Sequence, residues 1–116
     1  PVFQPVFERL RAILKPYEPH LTITQDTDEH YYLEGHYSQK FNKHLFFGSA
    51  QIKKNYVSFF LMPVYMYPEM LDTISPELKK RMQGKSCFNF RKVDETLFDE
   101  LADLAKDGYE RFKQEQ

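Results

Sequence analysis

Between positions 79 and 92 the chain carries six cations, Lys79, Lys80, Arg81, Lys85, Arg91 and Lys92, around its single cysteine, Cys87. Such density invites an anion site on a basic turn, although lysines near a helix C-terminus also simply complement the helix dipole. Within the same stretch Gly84-Lys85-Ser86 looks like the end of a phosphate loop. That loop needs a second glycine separated by four residues from the Gly-Lys pair, and Lys79 stands there instead. The order is also reversed, since a phosphate loop runs from strand to helix and meets the positive helix start, whereas here a helix pattern precedes the glycine. Nucleotide binding by this loop is therefore not expected.

Cys87 has two readings. On an alternating strand Phe88 and Phe90 face the core, while Lys85, Cys87, Asn89 and Arg91 share the other side. Cationic neighbours two residues away can stabilise a thiolate, which would suit a redox sensor or a thiol-dependent enzyme. The alternative is a small buried hydrophobe. No histidine is placed by sequence to act as its base.

Two further groups have metal-ligating residue types. His30, Tyr32, Glu34 and His36 alternate on one strand face, but His30 and His36 lie too far apart for one ion. Even a four-residue separation on a strand spans roughly 13 Å. Glu34 and His36, about 7 Å apart by the same rise, could supply two ligands if other strands supplied more. On the last helix Glu95, Asp99 and Asp103 fall at i, i+4 and i+8, spaced to share a hard cation. The plain reading of both groups is a solvated face.

The elements that must position these residues follow from pattern. Pro5 suits a first helical turn, Val6, Leu10, Ile13, Leu14 and Tyr17 recur at helical spacing, and Pro16 closes the segment. LTITQ (21–25) and HYYLEGHY (30–37) alternate as strands across the turn-forming DTDE. HLFFGSAQIK (44–53) and YVSFFLM (56–62) read as a hairpin through Lys54-Asn55. If Lys53 stands opposite Tyr56, Ile52, Ala50 and Gly48 share a face with Val57, Phe59 and Leu61. The other face then holds Lys53, Gln51, Ser49 and Phe47 with Tyr56, Ser58, Phe60 and Met62. The stretch 63–74 has Pro63 and Pro68 and reads as an irregular crossing that either covers this mixed face or leaves it open. Ser75-Pro76-Glu77 starts a helix that buries Leu78 and Met82 and ends at Gly84. SCFNF (86–90) is a strand, and Asp94 caps a last helix with an apolar stripe from Leu97 to Phe112.

The expectation is an α+β domain spanning 1–116, in the order α-β-β-β-β-α-β-α, with about five antiparallel strands and helices on one face. Its 116 residues suffice for one core, filled largely by eleven Phe and eight Tyr in the absence of Trp. A net charge of −1 argues against nucleic acid and anionic membranes as partners. One cysteine forms no intrachain disulfide, and no apolar run reaches membrane-spanning length. Pro1 is what removal of an initiator Met would leave. Its amine can be weighed as a catalytic base, though a helix start follows it. A cytoplasmic location is expected.

The stretches KKNYVSFFLMPVY, SPELKKRMQGKSCFNF and DETLFDEL together resemble the YdhG-like domains, over about residues 7–112. That resemblance implies a small bacterial, intracellular α+β domain of frataxin-like fold, with a curved antiparallel sheet and helices packed on one side. For some relatives it implies an iron-carrying role. The expected function is a non-enzymatic binding domain for a small ligand or a protein partner, without a resident cofactor. Its site is expected on the non-core sheet face, at Glu34, His36, Lys53, Tyr56, Phe60, Cys87 and Arg91. Lys53 and Arg91 would hold an anionic group and the rings would form walls. The alternative is an iron or divalent-metal carrier using Glu95, Asp99 and Asp103.

Overall fold

The computed structural model describes residues 2–115, so Pro1 lies outside the described residues. Helix α1 (Gln4–Leu14) buries Val6, Phe7, Leu10 and Leu14, with Pro5 in its first turn. A 3₁₀ segment over Lys15–His20 carries Pro16 and Pro19 and turns the chain toward the sheet. Six strands follow: β1 (Thr22–Asp26), β2 (His30–Ser38), β3 (Lys43–Ile52), β4 (Val57–Leu61), β5 (Met82–Gln83) and β6 (Cys87–Phe90). Three helices complete the chain, α2 (Met62–Met66), α3 (Pro76–Lys79) and α4 (Glu95–Phe112), with a second 3₁₀ segment at Pro68–Thr73. The sheet is fully antiparallel with the order β1-β2-β3-β4-β6-β5.

All the helices gather on one side. Helix α4 contacts α1, α2 and α3, and α1 lies across β3. The core between this layer and the sheet holds Phe7, Phe47, Phe59, Phe88, Phe98 and Phe112, all essentially without solvent contact. Close approach of the layers depends on two glycines. A Cβ at Gly48 would lie 3.0 Å from Leu14 Cδ2 and 3.1 Å from the Phe60 carbonyl oxygen, so the absence of a side chain lets α1 settle on the sheet. At Gly108 the neighbour is Pro63, whose Cβ would stand 3.0 Å away.

The central hairpin has the register its turn dictates. Lys53 N–H donates to the Tyr56 carbonyl at 2.8 Å, and Ile52, Ala50 and Gly48 pair with Val57, Phe59 and Leu61. Phe47 does not take the mixed face. Leu33 pairs with Gly48 while Glu34 pairs with Phe46, so Phe47 is an extra residue in β3. This bulge turns the Phe47 ring into the core among Tyr17, Tyr109 and Phe112 and leaves Phe46 on the opposite face. A second irregularity falls between Glu34 and Tyr37, so that Tyr37 rather than His36 stands opposite His44.

Three other expectations change. The stretch 63–74 is ordered as α2 and a 3₁₀ segment, and Pro63, Val64 and Met70 join the core. Strand β1 is a wholly exposed edge, with Ile23 at 40% exposure, so its alternation marks no buried face. Helix α3 is only four residues long, ending at Lys79, and Met82 lies in the added strand β5. Ser75 caps α3 as its sequence implies, its Oγ accepting from Leu78 N–H at 3.1 Å, and Glu100 of α4 accepts from the Ser75 hydroxyl at 2.6 Å. Arg81 N–H then bonds the Leu78 carbonyl, and the Arg81 carbonyl accepts from Asn89 N–H at 2.8 Å, which draws the chain into the sheet. Gly84, at φ +77°, makes the tight return to β6. Among the described residues no helix is long and apolar enough to cross a membrane.

Candidate functional site

The sheet face away from the helices is laid out by the register. Across its middle run Tyr32, Ser49, Phe60, Cys87 and Gln83; beside them run His30, Gln51, Ser58, Asn89 and, just ahead of β5, Arg81, whose carbonyl accepts from Asn89 N–H. Aromatic and polar side chains alternate here. Tyr32 stacks on Phe46 with ring centroids 4.6 Å apart, and Phe46 meets Phe60 edge-on at 6.5 Å. Within residues 63–67, Pro63 packs at Gly108 of α4, Val64 is in the core, and Met66 and Tyr67 pack against it, on the helix side of the sheet.

Cys87 lies within it at 8% exposure. Asn89 Oδ1 accepts from Ser58 Oγ at 2.8 Å and from Cys87 Sγ at 3.3 Å, and Asn89 Nδ2 donates to Gln83 Oε1 at 2.8 Å. Burial pushes the thiol pKa up, against smaller opposing effects from the Ser58 hydroxyl and the Lys53 charge. Lys85 and Arg91 are not among the groups that move it. A raised pKa means less thiolate at neutral pH. Cys87 is therefore expected to react with iodoacetamide at pH 7.5 more slowly than free cysteine under the same conditions; an equal or faster rate would contradict this placement.

The seven residues expected on this face do not form one site. Glu34 and His36 belong to β2, three strands from β6, or roughly 14 Å at the usual strand spacing. Phe60 and Cys87 pair with each other at the centre. Lys53 reaches over the face from the hairpin turn, where its charge lowers the pKa of both His30 and Cys87, in each case as a lesser cause than burial. Tyr56 and Arg91 do come together. They line a cleft of about 340 Å³ with Lys80, Arg81, Met82 and Asn89.

This cleft has three cations and no carboxylate in its walls. Five cations elsewhere are engaged by acids: Arg9 with Glu95, Arg11 with Asp26, Lys40 with Glu115, Arg111 with Glu69 and Asp107, and Lys113 with Glu110. Among the described residues, Lys53, Lys80, Arg81 and Arg91 pair with no acid. Asp94 lines a smaller adjoining cleft with Arg81, Arg91 and Lys92, but its carboxylate caps α4 by accepting from Leu97 N–H at 3.1 Å. Converging guanidinium groups, an amide and a phenol ring suit a small anion carrying several oxygens.

The acidic helix face is arranged differently. The Glu95 carboxylate is bound by the Arg9 guanidinium, whose Nε donates at 3.0 Å and which holds the carboxyl pKa below its ordinary value. Asp99 and Asp103 line a groove between α1 and α4 together with Arg9 and Lys106. Among the described residues no three His, Cys, Asp or Glu side chains come together in a metal-binding arrangement. The structure thus sets a cation of the protein itself beside the acids read as a ligand trio.

Lys80 and Arg81 fall in the basic stretch that invites an anion site, whereas their meeting with Tyr56 and Asn89 is not legible in the sequence. Their signal was the charge density from 79 to 92, but its geometry depends on β5, a two-residue strand with no periodicity to reveal it. Compared with known protein families, with curated proteins and with solved structures, the chain matches none.

Proposed function

We propose that the chain is a cytoplasmic, non-enzymatic binding domain whose ligand is a small polyanion seated at the Tyr56–Arg91 end of the open sheet face. One observation carries this reading: the cleft gathers Lys80, Arg81 and Arg91 with no acid among its lining residues and no ion pair to occupy them. Like charges held together without counter-charge raise the potential of a concave surface and favour an anion that several donors can reach. Arginines supply paired donors to phosphate or carboxylate oxygens, Asn89 adds an amide, and the Tyr56 ring gives the cleft a flat wall. The YdhG-like resemblance is compatible with such a role and contributes no ligand residues to it.

The reading is tested by calorimetric titration with inorganic pyrophosphate at low ionic strength. Saturable binding at one site is expected, weakening when sodium chloride is raised to a level where the Debye length falls to about 8 Å. Absence of saturable heat, or binding indifferent to salt, would count against it.

A further inference from the structure

On the other side of β5 lies a groove of opposite character. It measures about 490 Å³, within the range of about 300–1,000 Å³ typical of small-ligand sites. Its wall is built by Val64, Tyr65, Pro68, Leu71 and Met82, so the surface offered to a ligand is almost entirely carbon. Tyr65 is 55% exposed there, although neighbouring Val64 is buried in the core. The only charged lining groups are Lys79, from the end of α3, and Lys85, from the turn between β5 and β6. The Lys85 ammonium stands 5.8 Å from the centre of the Tyr65 ring, at the edge of the groove. Among the described residues neither lysine pairs with a carboxylate.

From this arrangement we infer that the groove is a second binding site, for an amphiphilic monocarboxylate whose apolar chain lies against Tyr65, Leu71 and Met82 while its carboxylate meets Lys79 and Lys85. A purely apolar ligand would lay carbon beside two ammonium groups without satisfying either. A small polyanion would gain the lysines but leave the exposed apolar wall wet, and the cleft on the far side of β5 suits it better. An anionic head on an apolar chain uses both features. Because the groove lies outside the Tyr56–Arg91 cleft and shares only Met82 with it, this site stands or falls separately from the polyanion reading.

The test is calorimetry on the full chain with hexanoate, octanoate and decanoate below their micellar concentrations, and with 1-octanol as the neutral control. One saturable site is expected, with affinity rising about two- to fourfold per added methylene, as partial to full burial of each group implies. Octanol should bind about tenfold or more weakly than octanoate, the effect of losing charge-assisted contacts. The double variant Lys79→Gln/Lys85→Gln changes two exposed side chains and should weaken octanoate about tenfold for the same reason. Tyr65→Ala, also at an exposed position, should weaken the whole carboxylate series while leaving pyrophosphate binding unchanged. The proposal is overturned by absence of saturable carboxylate binding, by equal affinity for octanoate and octanol, or by unaltered affinity in the lysine variant. Binding of an acidic, leucine-rich peptide in the groove with no carboxylate binding would equally overturn it and assign the surface to a protein partner.

Discussion

Phe47→Ala is expected to lower the unfolding free energy by about 3–5 kcal/mol, the usual cost of emptying a buried aromatic site. Phe46→Ala, one residue away, should cost under about 1.5 kcal/mol, the scale of one partly exposed aromatic pair. The bulge in β3 makes the difference. Phe47 has no solvent exposure and its ring lies 5.1 Å from Phe112, 5.6 Å from Tyr17 and 5.7 Å from Tyr109, joining α4 and the first 3₁₀ segment to the sheet. Phe46 keeps partial exposure and stacks on Tyr32 across the open face. Measured against a total of about 5–15 kcal/mol for a domain of ordinary stability, the first loss threatens the fold and the second does not. Denaturant unfolding of both variants checks the point. Similar losses, or a larger loss at Phe46, would mean that β3 lacks the bulge and that strict alternation holds.

The second large effect concerns the cationic cleft. Arg81→Gln combined with Arg91→Gln should weaken pyrophosphate binding about a hundredfold, two charge-assisted contacts at about 1.4 kcal/mol each. Both side chains are exposed and neither takes part in an ion pair or the core, so the unfolding midpoint should stay close to that of the parent chain. Lys53→Gln, whose side chain does not line the cleft, should change affinity by about threefold or less, the size of a screened exposed charge. Equal losses in the two variants would mean that pyrophosphate responds to the general charge of this end and not to a built site.

The parts of the fold that sequence anticipates are those fixed locally. Asp94 caps α4 and the stripe beyond it is buried from Leu97 to Phe112, because cap chemistry and helical period both act within a few residues. Lys53 facing Tyr56 sets the hairpin register, since a turn dictates the pairing of the strands it joins. The misreadings arise where tertiary packing decides. Alternation through residues 44–53 cannot announce that Gly48 leaves room for Leu14 and that an extra residue carries Phe47 to the core side. Nor can an ELKKRMQG pattern show that Asn89 N–H will take the Arg81 carbonyl and convert the helix end into an edge strand. The same step hides the site. The basic stretch is visible in sequence, but its meeting with Tyr56 and Asn89 depends on β5 pairing with β6 and β6 with β4. Glu95, Asp99 and Asp103 illustrate the converse: spacing on one helix says nothing of Arg9 on the neighbouring one.

The most direct test of the polyanion cleft is amide chemical-shift mapping during titration with inorganic pyrophosphate. The account predicts shifts that saturate together and concentrate at Tyr56, Lys80, Arg81, Asn89 and Arg91. Shifts centred on Asp99 and Asp103, or spread evenly over the surface without saturation, would contradict it.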